Sequence, residues 1–410
     1  MADMNEQARD EAADEAPGPD GPQDAGQFPR IRRITAWQRA ERTLWRAPMD
    51  RSLGEQLAAL AADAGALTDL GQPVDIYGDG VVAELEQRIA EVLGMEAVAF
   101  FPTGTMAQQA ALRSWAGRSG NPTVALHPLA HPEMYERGAL SVVSGLRTVH
   151  PTSEPRLPTA DEIRDFDEPF GTLMLELPLR DAGFVLPTWE ELEAVVAAAR
   201  ERDAVVHFDG ARLWECATHF GRELPEITAL ADSVYVSFYK TLGGISGAAL
   251  AGSASLIEEA RTWRHRYGGQ LFQQFPAALS ALSGLERELP KLPSYVAHAQ
   301  VVAEALAEGF AEAGAGWFRV HPDPPHTHQF QVWLPYAPEV LTEASVRLAE
   351  ETGTALFRMW QPAGAGPPGI SCTEVTVTES GLTWTAADVK AALGDFLKLV
   401  AEQERLARQE

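Results

Sequence analysis

Cysteine is almost missing from the chain: Cys216 and Cys372 are the only two in 410 residues. They lie far apart and outside any C-x-x-C spacing, which speaks against a disulfide framework and a zinc site and fits a reducing, cytoplasmic setting. Basic charge is also short, with 33 Lys and Arg against 58 Asp and Glu, a net charge of −25 and a pI near 4.8. No general basic surface is left to grip a phosphate backbone, so nucleic acid is a poor partner. The N-terminus has no basic-then-apolar signal pattern, and no apolar run approaches the ~20 residues a membrane span needs. Internal repeats are missing too, and low complexity is confined to the first residues.

What is present is enough apolar residue, 45% of the chain, to bury a large core, and the length makes a large domain plus a smaller one the natural division. Residues 1–27 are rich in Asp, Glu, Ala, Gly, Pro and Gln, cannot offset the entropy of ordering, and read as a disordered acidic tail. Residues 28–290 read as an N-terminal arm and a large domain, and 291–410 as a small C-terminal domain. The arm between Arg30 and Arg51 mixes arginine with Trp37 and Trp45, as a leader packing on a neighbouring subunit would.

From Val81 the pattern is regular. Val82, Leu85, Ile89, Val92 and Leu93 recur at helical spacing, Gly94 sits at the C-terminal cap, and a strand follows at Ala97 to Phe101. Thr172 to Glu176, TLMLE, is a continuous apolar run of the kind a strand buried on both faces requires. Thr188 and Glu191 form a capping box, Leu192, Val195, Val196 and Ala199 a stripe behind it, and Ala204 to Phe208 another buried strand. SVYVSFY runs up to Lys240 and GAALAG follows a glycine pair. Strands alternating with helices imply a mostly parallel sheet covered on both faces. Beyond Pro290 the expected elements are a helix at Val296 to Phe310, a strand at Gln329 to Leu334, a helix at Ala344 to Glu351, a strand at Ala355 to Trp360 and a last helix after Thr385. Their texture is that of a smaller α+β domain.

In such a sheet ligands bind beyond the carboxyl ends of the strands. After Phe101 comes Pro102-Thr103-Gly104-Thr105-Met106, either a plain helix cap or a turn whose N–H groups and hydroxyls cradle phosphate. After Val206 comes His207-Phe208-Asp209-Gly210-Ala211-Arg212. An acid there is a structural ion pair, with Arg212 one partner, or it holds a heterocyclic nitrogen protonated so that the ring drains electrons from a carbanion. Lys240 closes another buried run, where desolvation lowers an amine toward the neutral form that makes an imine. His131, within HPLAHPEMYE, is a satisfied histidine or a flat ring that stacks on an aromatic cofactor.

At these residues the chain resembles the threonine aldolase and β-eliminating lyase family of fold-type-I enzymes dependent on pyridoxal 5′-phosphate (PLP), in order and spacing from about Asp75 to Arg266. The resemblance implies an aspartate aminotransferase-like large domain and a homodimer or homotetramer. The stretch from DIYGDG to FFPTGTMAQQAAL resembles the family's segment from Tyr77 into the phosphate turn, with Gly104 and Thr105 on the phosphate. LAHPEMYERG places His131 over the pyridine ring, and HFDGARL places Asp209 at the ring nitrogen, with Arg212 near the cofactor oxygen and the substrate carboxylate. Lys240 takes the Schiff-base position, and Ser237, three residues earlier, matches a phosphate-binding serine of related enzymes.

There are departures. Tyr239 stands where the family has a serine before the lysine, and the arm lacks the usual Ser-Asp-Thr. Where aldolases carry a histidine tied to retro-aldol proton transfer, this chain reads Glu176-Leu177-Pro178-Leu179-Arg180. Gly268-Gly269-Gln270-Leu271-Phe272-Gln273 resembles the family's Gly-Met-Arg-Gln element without its arginine. The C-terminal carboxylate-binding arginine has no counterpart near Ile370 to Thr373, which leaves Arg180 and Arg358 as replacements.

The resemblance implies a PLP-dependent lyase acting on a small β-substituted α-amino acid. The expected reaction is retro-aldol cleavage of a β-hydroxy-α-amino acid to glycine and an aldehyde, with Lys240, Asp209 and His131 as catalytic residues and no metal. The alternatives are β-elimination or other carbanion chemistry on the same platform, and a non-catalytic relative of the fold.

Overall fold

The computed structural model describes residues 27–46, 50–363 and 369–407 and divides them into two compact units. The tail expected over 1–27 lies, up to residue 26, outside the described residues.

The larger unit holds residues 50–297 together with Pro325–His328. Its sheet has seven strands: β1 (Ala97–Phe101), β2 (Thr123–Ala125), β3 (Arg147–Val149), β4 (Thr172–Glu176), β5 (Val205–Gly210), β6 (Ser233–Ser237) and β7 (Ala248–Gly252). Their spatial order is β1-β7-β6-β5-β4-β2-β3. All neighbours are parallel except β7, which is antiparallel to both β1 and β6. Because two reversals cancel, β1 points the same way as β4, β5 and β6, and Phe101, Glu176, Gly210 and Ser237 all end at one edge. The register sets Glu176 beside Asp209 and Asp209 beside Tyr235.

The strands are buried on both faces: Leu173, Leu175, Val206, Phe208, Val234 and Val236 are each at most 2% exposed. That is why they read as unbroken apolar runs rather than alternating ones. The helix Gly80–Leu93 buries Val82, Leu85, Ile89 and Leu93 and ends on Gly94 with φ 63°, the left-handed cap its glycine supplies. The capping box of Thr188 and Glu191 opens the helix Trp189–Glu201.

The smaller unit joins 27–46 to 298–324 and the described part of 329–410. Its antiparallel sheet has the order β10-β11-β9-β8, from β8 (Arg319–His321), β9 (Gln329–Leu334), β10 (Gln361–Pro362) and β11 (Ser371–Thr376). Its core includes Phe330, Val332, Phe357, Trp360 and Phe396, with the Trp360 and Phe396 rings stacked 6.0 Å apart.

Two expectations change here. The N-terminal arm, assigned from sequence to the large domain, clusters with this smaller unit. Ala36 and Trp37 of the helix Gln27–Arg39 and Ala40 just after it pack on Val346, Ala349 and Ala355, and Arg32 pairs with Glu343 at 2.9 Å and Glu350 at 2.6 Å. Arg42 and Thr43 then pair in parallel with Thr354 and Ala355. A contact so distant in sequence leaves no local periodicity to read. The strand expected over Ala355 to Trp360 stops at Ala355, because its side chains turn into the core between helices instead of extending a ladder.

Candidate active site

Four of the expected residues line one cleft at the carboxyl edge of the large unit's sheet: His131, Arg180, Arg212 and Lys240, together with Glu176 and Asp181. Asp209, the last residue but one of β5, is 2% exposed, with Oδ1 accepting from the Ala211 N–H at 3.1 Å. Burial pushes its carboxyl up to about 6, opposed by the positive charge of Lys240 and the Ala211 N–H. Lys240 follows β6 and is partly buried. Desolvation, reinforced by Arg212 and Arg180 and opposed by Asp209 and Glu176, pulls its amine down to about 8.

The loop after Lys240 is tied down by neighbours. The Thr241 hydroxyl donates at 2.9 Å to Glu215 Oε2, a fully buried carboxylate whose same oxygen lies 2.8 Å from His328 Nε2. On the near side, the Trp214 indole N–H donates to the Ser237 carbonyl at 2.9 Å.

The cleft's other wall comes from two segments. His131 opens the turn His131–Met134, with Nδ1 3.3 Å from Glu136 Oε1 and its ring 5.3 Å from that of Tyr135. Arg180 follows β4 and lays its guanidinium 5.7 Å from the Tyr135 ring centre. Arg212 does the same over Phe184 at 5.4 Å.

The phosphate turn folds as a capped helix start. Thr103 accepts from the Met106 N–H at 3.2 Å, and Gly104 and Thr105 begin the helix Gly104–Ser119. Gly104 lies so close to β6 that a Cβ there would stand 2.7 Å from Tyr235 Cζ and nearer still to its hydroxyl. Ser237 Oγ, at the end of that strand, is fully buried and has no hydrogen-bond partner among the described residues. A buried orphan hydroxyl calls for a partner of its own.

Tyr77 and Arg358 are not among the cleft's lining residues. Tyr77 has φ 56°, is 53% exposed, donates its N–H to the Phe272 carbonyl at 2.9 Å and sets its ring edge-on to Phe272 at 5.4 Å. Arg358 belongs to the smaller unit, where its guanidinium lies 5.5 Å from Trp37 and 4.8 Å from Trp45 and donates to the Trp45 carbonyl.

Sequence reasoning missed Glu176, Asp181 and Glu215 as parts of the site. Glu176 carries the same signal that singled out Asp209, an acid closing a buried strand. Asp181 and Glu215 are marked by nothing local.

A mostly parallel sheet with a low-pKa lysine and a buried acid at adjacent strand ends defines the class, the fold-type-I PLP-dependent enzymes. Residues 59–328 match the family model described as Beta-eliminating lyase, about two thirds of the chain, and the chain belongs to that family. It is 33% identical over 245 residues to the low specificity L-threonine aldolase of Escherichia coli K12, covering 58% of this chain and 73% of that one. A solved structure from Exiguobacterium sp. 255-15, a proposed aromatic amino acid beta-eliminating lyase/threonine aldolase, superposes with a TM-score of 0.80 at 32% identity, covering 90% of this chain and 99% of that one. A proposed L-allo-threonine aldolase from Listeria monocytogenes gives 0.79 at 32% identity, covering 91% and 99%.

Proposed function

We propose that this protein is a PLP-dependent lyase that cleaves β-hydroxy-α-amino acids of the threonine kind to glycine and an aldehyde. The observation that carries the reading is the placing of a buried acid, Asp209, and a lysine that lines the cleft, Lys240, at the carboxyl ends of neighbouring strands, each feeling the other's charge. The residues present fit the cofactor: Ser237 offers a buried unpartnered hydroxyl, Gly104 lets the turn pack directly on Tyr235 of the strand that ends at Ser237, and Asp209 is an acid screened from water.

Lys240 would carry the cofactor covalently, Gly104, Thr105 and Ser237 would hold its phosphate, and Asp209 its ring nitrogen. Bound, PLP supplies a ring that withdraws electrons from the substrate's α-carbon. An amine lowered to about 8 is neutral in a useful fraction of molecules at physiological pH, which is what a nucleophilic lysine needs. Asp209, screened from bulk water, holds a proton at the ring nitrogen rather than exchanging it. His131 stands on the cleft wall beside Glu136 and is the group assigned to take the substrate's hydroxyl proton. Arg212 and Arg180 are assigned to the α-carboxylate. Arg358, engaged by Trp37 and Trp45, is not.

The exposed apolar set of Ile76, Tyr77, Leu271 and Phe272 supports a homodimer or a dimer of dimers in which this loop meets the partner. Sedimentation at micromolar concentration should give an even assembly, and an active monomer would contradict it. Both cysteines are buried and free, in keeping with the cytoplasm. Among the described residues no helix is long and apolar enough to cross a membrane.

The chain has only four lysines, Lys240, Lys291, Lys390 and Lys398, so borohydride reduction followed by peptide mapping gives a sharp test. Pyridoxyl label on Lys240 is expected, and label on any of the other three overturns the assignment. β-Elimination is the second reading, favoured by the stretch Glu176-Leu177-Pro178-Leu179-Arg180, which holds no histidine. Glycine with acetaldehyde from threonine supports the first reading, and a 2-oxo acid with ammonia the second.

A further inference from the structure

Glu176 has no part in the chemistry above, yet it is 8% exposed at the end of the strand beside Asp209 and lines the same cleft as Lys240. Its two oxygens are used separately. Oε2 accepts from the backbone N–H of His131 at 2.7 Å, and Oε1 accepts from the backbone N–H of Arg180 at 3.2 Å. These two donors open the two segments that form the cleft wall. The segments meet again where the Tyr135 hydroxyl donates to Asp181 Oδ1 at 2.7 Å and where Arg180 covers the Tyr135 ring.

Resting on the function proposed above, we propose that Glu176 is a positioning residue whose carboxylate bridges the backbones of His131 and Arg180 and so fixes where the imidazole and the guanidinium enter the cleft.

Two directed acceptors are needed at once, and of the neutral side chains of this length none has them. Glutamine offers one acceptor oxygen and an NH₂ that would face an N–H donor to donor. The carboxylate is held there at a cost. Burial, with the negative charges of Asp209 and Asp181, pushes it up to about 7 against the pull of His131. The charged and titratable groups around it are Asp209 on β5, Asp181 and Arg180 beyond β4, His131 with Glu136, and Lys240. An acid so placed without a geometric task would be better replaced by a neutral residue.

The test uses holoenzyme and glycine above pH 7, where Glu176 is ionised, with binding read from the absorbance of the cofactor rather than from turnover. In Glu176→Gln the borohydride label should stay on Lys240 while the glycine dissociation constant rises at least tenfold. In Glu176→Gln/Arg180→Ala it should rise by no more than twofold beyond Arg180→Ala alone, because Glu176 acts through Arg180. Should the glutamine variant not fold, Glu176→Asp, one methylene shorter and able to reach only one of the two N–H groups, must show the same pattern. Unchanged glycine binding, or effects that multiply in the double variant, overturns the bridge. Wild-type label on a lysine other than Lys240 overturns the functional reading instead, so the two failures are told apart.

Discussion

Gly104→Ala puts the phosphate turn to a test that depends on one distance. The new Cβ would stand 2.7 Å from Tyr235 Cζ and 3.2 Å from Cε2, with the hydroxyl closer than either. Ordinary contact begins near 3.4 Å, so the ring and the turn must part by about 0.7 Å or more. Neither side yields easily. Tyr235 is 3% exposed on β6, an inner strand of the sheet, and belongs to a core cluster with Ala99, Phe101, Ala107, Ala211 and Leu250. Gly104 is fixed by Thr103, which caps its helix. Overpacking of this kind typically destabilises by roughly 1–3 kcal/mol. The displacement falls on the two elements assigned to the phosphate, the turn at Gly104 and the strand ending at Ser237. Cofactor affinity should therefore fall about tenfold or more, equivalent to ~1.4 kcal/mol. Urea unfolding of the apoprotein, read as a midpoint shift at constant slope, gives the first quantity. Absorbance titration with PLP gives the second. Tyr235→Phe added to Gly104→Ala removes the nearest atom but leaves the Cζ contact, so it should restore part of both losses and not all. A single variant within ~0.5 kcal/mol of wild type and with unchanged PLP affinity would refute the close-approach argument.

The catalytic end of the sheet was legible in the sequence because burial on both faces leaves a plain mark. Apolar runs closed by a polar residue located β4, β5 and β6, and the residues that close or follow β5 and β6 are Asp209 and Lys240. The same mark lies on Glu176, the last residue of β4. What could not be read was anything held by distant contacts. His328 reaches Glu215 across more than a hundred residues of chain, and no periodicity announces it. The arm carrying Trp37 and Trp45 gave a composition without a partner, and its partner is the helix Pro338–Thr352 with the short strand after it. For the same reason Arg358 looked available, although the two tryptophans that engage it are some three hundred residues upstream. Orientation escaped as well: a strand of small residues such as β7 can run either way, and only its pairing fixes it as antiparallel.

Four further perturbations separate the roles assigned here. Asp209→Asn should keep the fold and lose about a hundredfold or more in turnover, the scale of a misplaced proton; steady-state kinetics with the label still on Lys240 would show it, and near-normal turnover would make Asp209 merely structural. Arg180→Ala should raise the Michaelis constant by the equivalent of ~2–5 kcal/mol, the loss of a charged partner left buried. Arg358→Ala should leave that constant within a few-fold but lower the melting temperature, because its guanidinium packs on Trp37 and Trp45; an exchange of the two outcomes would move the carboxylate site. The fourth concerns pH, and its sign follows from linkage. Glu176 is raised from 4.5 to about 7 in the folded apoprotein, so between those values the folded state keeps a proton that the unfolded chain has released. Its contribution to stability is therefore fully present below pH ~4.5 and is lost as pH rises through about 7. At 1.36 kcal/mol per unit this amounts to about 3 kcal/mol, shared with Asp209, which is raised to about 6 and titrates in the same window. His207 works in the opposite direction: burial lowers it to about 3, so stability is lost as pH falls below its ordinary value. The wild-type profile is thus a difference of opposing slopes, and the informative quantity is the gap between wild type and Glu176→Gln. Denaturant unfolding of both apoproteins at intervals from pH 5 to 7.5 should show wild type losing stability relative to the variant as pH rises. A gap that stays constant across that range would mean that Glu176 is already ionised at pH 5, and that the acids beside it do not raise it.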